Sequence, residues 1–355
     1  MRHINFLADH FDIETIGYGD SPPNVQRHIK IPDDVKYLPI SLKALLPHIL
    51  RMFGLSSQRI QAIQFLKRTV ETTRSDIVLL NDVQTLPLLE HLQCPTVVDM
   101  HEYAPLEMED DWRFRLFLQR YYTWLCEKYL PLANAVTTVS NGLASEYQKV
   151  FGVECTVVLT ARDYRDLKVH EHKSSPMRLV HSGLAAKARR LEVMMNSVAN
   201  LSGFVLDMYL VSAPRQSRTL RKLKRLADQT NNIRILDPVP SDTLPEVLNS
   251  YDLSLPYIAP ANFSLEHCMP NKLFDSIQAR IGIVSGPSPD MADFCKNHKI
   301  GFSTKRFSSA ELRGLLISLN ATEVNSLKRA SDVCAILVTA EAEAKKLHEI
   351  LHKMA

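Results

Sequence analysis

No two cysteines form a Cys-x-x-Cys pair; Cys94, Cys126, Cys155, Cys268, Cys295 and Cys334 are scattered through the 355 residues. That spacing signals neither a zinc ribbon nor a thioredoxin-type site. Mostly apolar neighbours predict buried thiols in a reducing, cytoplasmic setting. Long apolar runs are missing too, so nothing reads as a membrane span, and the opening Met1-Arg2-His3-Ile4-Asn5 carries no signal-peptide core. Net charge is slight: 42 Lys+Arg against 39 Asp+Glu give a formal +3. That excludes a wholesale nucleic-acid coat and predicts no nucleic-acid partner, while leaving room for a local basic patch. What is present is ordinary for a globular protein, with 45% hydrophobic and 23% charged residues, and the length predicts about two domains.

Ile4, Phe6, Leu7 and Phe11 predict a short amphipathic helix, and residues 12–17 a strand. Most α/β domains open with a strand, so this chain enters one element late. Buried-type strands follow at 75–80, 95–100 and 135–139, separated by helical stretches at 58–73, 83–92 and 111–130. Ser140, between a strand and a helix, reads as an N-cap rather than a nucleophile. The polar stretch 163–176 reads as a hinge. A second series begins with strands at 177–182, 205–211, 233–236, 253–255 and 281–285, with helices at 188–201, 215–230, 242–250 and 271–280. Residues 308–352 read as helices only. Strands alternating with helices predict parallel sheets covered on both faces, hence two Rossmann-like domains with ligands at the strand ends, facing a cleft between them.

The most informative segment is Cys268-Met269-Pro270-Asn271-Lys272-Leu273-Phe274-Asp275. Pro270 suits the first turn of a helix, and the free N–H groups of Asn271, Lys272 and Leu273 would then form an electropositive end fit for a phosphate. Lys272 adds a full charge. Asp275, one turn deeper, could accept two hydrogen bonds from a ribose diol. On spacing alone, a plain helix start with an exposed Lys–Asp pair remains the competing reading.

Pro270-Asn271-Lys272-Leu273-Phe274-Asp275, with Gly282-Ile283-Val284 after it, resembles the donor-binding signature of the family 4 retaining glycosyltransferases. These have the GT-B fold, two Rossmann-like domains facing across a cleft. Asp275 stands where the family has a ribose-binding glutamate, and His267 where many relatives have another. Asn81-Asp82, Val97-Val98-Asp99-Met100-His101-Glu102 and the strand and serine turn at 132–140 resemble family segments in the same order. His181-Ser182-Gly183-Leu184, with Arg189 and Arg190, resembles the loop that clamps the donor diphosphate; Leu184 stands where some relatives have arginine. The resemblance covers nearly the whole chain. It implies an acceptor-side domain over 1–165, a nucleotide-sugar domain over 166–335, and a helix at 336–355 returning to the first domain. It further implies that His101 is catalytic and that Gly183, Arg189, Arg190, Asn271, Lys272, Leu273 and Asp275 bind the donor. No essential metal or other cofactor is expected; the acidic Glu109-Asp110-Asp111 run precedes a helix, where acids favour the dipole. The implied reaction transfers a sugar with retention from a nucleotide sugar to a glycan or lipid-linked acceptor, in cell-surface polysaccharide synthesis. Relatives begin with a strand and a loop before the helix that residues 2–7 resemble, so the N-terminal domain is expected to lack its first strand. That departure, with Asn81, Leu184 and Asp275, raises two other readings: a non-catalytic GT-B-like partner subunit and a nucleotide-sugar epimerase.

From Val35 to Val70 there is no acidic residue. A helix over 41–54 would put Leu45, Leu46, Ile49 and Phe53 on one side, with Lys43 and Arg51 beside them. Two readings stand: Lys43, Leu46, Arg51 and Phe53 lie on an anionic membrane at the inner face of the cell membrane, or the apolar side packs on the domain's own sheet.

Overall fold

The structure is a computed structural model that describes residues 4–35, 61–173, 175–212 and 217–354. The segment 41–54, with Lys43, Leu46, Arg51 and Phe53, lies outside the described residues. The chain divides into two compact units: Met1–Leu159 with Asn262–Ser264 and Glu341–Ala355, and Thr160–Ala261 with Leu265–Ala340.

In the first unit a short helix, Ile4–Leu7, precedes a two-stranded parallel sheet of β1 (Glu14–Gly17) and β2 (Arg27–Lys30). A four-stranded parallel sheet follows in the order β3 (Val78–Asn81), β4 (Thr96–Met100), β5 (Ala135–Thr138), β6 (Cys155–Val157). Val97 and Val98 of β4 are fully buried, as parallel strands covered on both faces require. The helix Gln61–Thr72 falls within the expected stretch, but Val83–Glu90 is a 3-10 run with Pro87 inside it. Proline lacks the N–H that an α-helix would need there. Phe114–Leu118 forms a π turn that leads into the helix Gln119–Tyr129. Ser140 caps the helix Asn141–Phe151 by accepting from the Leu143 N–H at 3.3 Å, as expected. The last helix, Ala340–His352, sets Leu347 and Leu351 against Leu7 and Val97.

The second unit holds six parallel strands: β7 (Met177–Leu184), β8 (Phe204–Val211), β9 (Ile233–Leu236), β10 (Leu253–Ser254), β11 (Gly282–Ser285) and β12 (Gly301–Ser303). Their spatial order is β12-β11-β10-β7-β8-β9, the doubly wound Rossmann order, in which the strand order reverses between β7 and β10. The long helices Ser309–Ser318 and Ala321–Leu337 follow, the second opened by a reciprocal Asn320–Glu323 capping box. The six cysteines are free thiols; Cys126, Cys295 and Cys334 are buried and the others partly so. Among the described residues no helix is long and apolar enough to cross a membrane.

Candidate functional site

The crevice outside the carboxyl ends of the strands, at the point where strand order reverses, is where open α/β sheets receive ligands. His181 and Gly183 stand two residues apart near the end of β7 and so share a face. His181 Nδ1 lies 2.7 Å from the carbonyl of Leu255, the residue after β10. A carbonyl only accepts, so Nδ1 carries the proton and donates. Nε2 is then a buried lone pair with no hydrogen-bond partner among the described residues. Burial, and after it the Lys272 charge, pushes this ring well below the usual histidine pKa, which keeps it neutral.

Gly183 has φ +147°, and a Cβ there would stand 3.0 Å from Lys272 Nζ and 3.8 Å from His181 Nε2. The missing side chain is what lets the ammonium settle over the end of β7. Lys272 is the second residue of the helix Asn271–Gln278, which starts after an extended Pro270. Asn271 is exposed and Lys272 half-buried. The Leu273 N–H, expected to be free, donates to the Pro270 carbonyl at 2.9 Å, and the Leu273 side chain is fully buried. The first turn closes on itself in this way, which leaves the Asn271 and Lys272 N–H groups as the candidate donors at this helix start. Burial, and next the charge of Arg189, lowers the Lys272 pKa to about 7. An ammonium held this way gains most from an anion.

Arg189 ends a 3-10 turn, and Arg190 follows it in the left-handed region at φ 48°. The Arg190 guanidinium lies 5.6 Å over the Phe307 ring. Of the two arginines, Arg189 is therefore the one whose charge bears on Lys272. Asp275 does not stand open to solvent. It is 5% exposed and ion-paired with Arg162, whose Nη2 donates to Ser241 Oγ at 2.6 Å. His267 Nδ1 lies 2.6 Å from Asp290.

The first unit carries a separate cluster at the ends of its parallel strands. His101 Nε2 is 3.0 Å from Asp99 Oδ2, and the Thr137 hydroxyl on β5 donates to Asp99 Oδ1 at 2.7 Å. The hydrogen bond to Asp99 is the main reason that the His101 pKa is raised. Asp82, at φ 65° and ψ 160°, occupies a backbone region that side chains rarely adopt, and burial raises its pKa. Burial, then Glu102 and Asp82, pushes Glu107 up to about 7. The Glu109-Asp110-Asp111 run is engaged in hydrogen bonds within the unit. Glu109 accepts from the Phe263 N–H, Asp110 from Asn262, and Asp111 from the Arg113 N–H. Among the described residues no group of three His, Cys, Asp or Glu side chains is placed to hold a metal ion.

Glu107 and Arg162 escape the sequence reading, and His181 and Asp99 enter it only as members of matched segments, with no role of their own. Alternation along a strand links His181 with Gly183 and Asp99 with His101. Nothing in the sequence marks Glu107, or Arg162, whose partners Asp275 and Ser241 are distant in the chain.

No protein-family model matches the chain, and no curated protein matches it. Solved structures do. HepE from Anabaena, in complex with UDP and glucose, is similar with a TM-score of 0.71 at 12% identity, over 99% of this chain and 95% of that one. Sucrose-phosphate synthase from Thermosynechococcus elongatus is similar with a TM-score of 0.73 at 11% identity, over 99% and 91%. A trehalose-6-phosphate synthase, described for enzymatic glycosyltransfer with retention, has a TM-score of 0.71 at 9% identity, over 100% and 96%. Identities this low establish the architecture alone, and that architecture is the GT-B fold of glycosyltransferases.

Proposed function

We propose that this chain is a glycosyltransferase that binds a nucleotide sugar in its second unit and transfers the sugar with retention of configuration. The observation that carries the reading is Lys272. Its ammonium rests over Gly183 beside Arg189, at a helix start and at the reversal point of a Rossmann sheet. A diphosphate at that place meets Lys272, Arg189 and the N–H groups of Asn271 and Lys272. As the bond between sugar and diphosphate breaks, negative charge grows on the leaving oxygens, and these fixed positive groups stabilise it without a chelated metal. Arg190 joins the clamp by turning from Phe307 toward the phosphate. Asp275 neutralises Arg162 and secures the helix, and the resemblance assigns the donor ribose to its carboxylate. Neutral His181 presents Nε2 as an acceptor beside the ammonium. His101, oriented by Asp99 and Thr137, acts on the sugar side of the reaction. HepE bound to UDP and glucose supports a uridine-type donor, and the retaining trehalose-6-phosphate synthase supports retention. The acceptor is a glycan or a lipid-linked sugar of polysaccharide synthesis.

Calorimetry with a panel of nucleoside diphosphates and nucleotide sugars tests the donor site. One of them should bind, and Lys272→Ala should weaken it by about 1.5–3 kcal/mol, the range for a charge-assisted hydrogen bond. Equal affinity in parent and variant overturns the site. A parent that binds the donor yet never releases a sugar, with or without acceptor, overturns the enzyme.

A further inference from the structure

The helix Ser217–Ala227 connects β8 to β9, the edge strand of the second sheet. Within its sequence SRTLRKLKRLA stand Arg218, Arg221, Lys222, Lys224 and Arg225, and no acid. Leu223 and Ala227 are buried in the core of the unit, with Leu220 and Leu226 packed against it. At 3.6 residues per turn, Arg218, Arg221, Lys222 and Arg225 fall together on the side opposite those apolar residues, and Lys224 borders them. All five cations are exposed. None of them is in an ion pair among the described residues, whereas the neighbouring Arg234 on β9 is held by both oxygens of Asp207 at 2.7 Å.

A helix face that is merely solvated usually mixes signs, so that i,i+4 pairs attract. Here Arg218–Lys222 and Arg221–Arg225 are like-charge i,i+4 pairs, which weaken a helix until something anionic lies against them. The concentration is local, because these five charges exceed the formal net charge of +3 of the whole chain.

We propose that this helix is an attachment surface for an anionic lipid bilayer. The cations form a short convex ridge, about 10 Å from first to last at 1.5 Å per residue. A ridge of this kind touches a plane of phosphate headgroups along its whole length. The helix has no aromatic residue to stack on a base, as single-stranded nucleic-acid binding favours. Its leucines are committed to the core, so contact stays at headgroup level, reversible and salt-sensitive. The inference does not depend on the glycosyl-transfer reading, because vesicle binding requires no turnover.

Co-sedimentation of the full chain with phosphatidylcholine vesicles, with and without phosphatidylglycerol, tests it. The parent should bind only the anionic vesicles and release at high salt. Each neutralised cation should weaken partition about five-fold. Replacing Arg218, Arg221, Lys222 and Arg225 by Gln together should lower it by roughly several hundred-fold on the same scale. Exchanging the three arginines for lysine keeps the charge and should keep the binding. The proposal is overturned by a parent that ignores anionic vesicles at low salt, by a Gln variant that binds like the parent, or by loss of binding in the lysine variant. A parent that binds a DNA duplex and not the vesicles also overturns it.

Discussion

We expect Lys272 to couple donor binding to proton uptake, with a size that follows from its surroundings. In the ligand-free protein its pKa lies at about 7, lowered by burial and then by Arg189. At pH 8 about nine in ten such lysines are neutral. A diphosphate against Nζ reverses both causes, since it replaces the lost solvation and outweighs the Arg189 charge. The bound pKa returns toward the ordinary value of about 10.4. Binding at pH 8 should thus take up about 0.9 proton per nucleotide, and at pH 6 only about 0.1. Affinity should fall roughly ten-fold per pH unit above 7. The measurement is titration calorimetry with UDP-glucose, or whichever nucleotide sugar binds, at pH 8 in buffers of different ionisation enthalpy. The slope of observed enthalpy against buffer enthalpy counts the protons. Lys272→Met should bind more weakly and show no slope. The reasoning is refuted if the parent binds with no uptake at pH 8, or if the Met variant takes up the same proton. For folding the sign is opposite. A lysine pKa lowered in the folded state means that the unfolded chain binds more protons between about pH 7 and 10.4, so the free protein should gain stability across that window as pH rises.

Three further outcomes follow. Asp275→Ala leaves Arg162 buried without its carboxylate and should cost about 3–5 kcal/mol of stability in denaturant unfolding; a loss below about 1 kcal/mol, the scale of exposed pairs, would mean that the pair is solvated. Asp99→Asn removes the main cause of the raised His101 pKa, so the imidazole should titrate at lower pH by NMR. In the parent, the His101–Asp99 pair stabilises the fold below the unfolded histidine pKa of about 6.5, and that contribution is lost as pH rises through the raised value; an unmoved titration in Asp99→Asn denies the coupling. Glu107, pushed up to about 7 mainly by burial, stays protonated in the fold where the unfolded chain has released its proton. The parent melting temperature should therefore drop from about pH 5 to 7, and Glu107→Gln should flatten that drop; identical pH profiles would count against the burial account.

Much of the architecture was legible because parallel sheets bury both faces of their strands. Ile77–Leu80, Val97–Val98 and Ile281–Val284 are continuous apolar runs for that reason. The strands that escaped notice are short or polar. β2 is Arg-His-Ile-Lys beside a single partner, β6 has three residues, and β12 begins with a glycine. The 3-10 run at Val83–Glu90 hid behind helical periodicity, with only Pro87 to betray it. At the candidate donor site, Lys272 could be named from its place at a helix start and Gly183 from the family resemblance. That Lys272 occupies the volume of the missing Gly183 side chain could not, because 89 residues separate them. The Arg162–Asp275 pair shows the same limit: a charge partner brought in by the fold leaves no local pattern, so a residue that looks available in sequence is found already engaged.

The first unit is assembled from three stretches of chain, the last of them Glu341–Ala355, whereas the second is complete at Ala340. On a ribosome the order of completion is therefore inverted. The part that emerges first must wait for the final helix before Leu347 and Leu351 can cover Leu7 and Val97. Until then the half-built sheet presents an apolar strip to solvent, and nascent chains depend on speed of synthesis or on a chaperone to keep it shielded. A frameshift or stop codon after residue 340 would spare the Rossmann sheet of the second unit and strand the first one open. Such a truncation would be expected to accumulate as aggregate rather than as a folded protein.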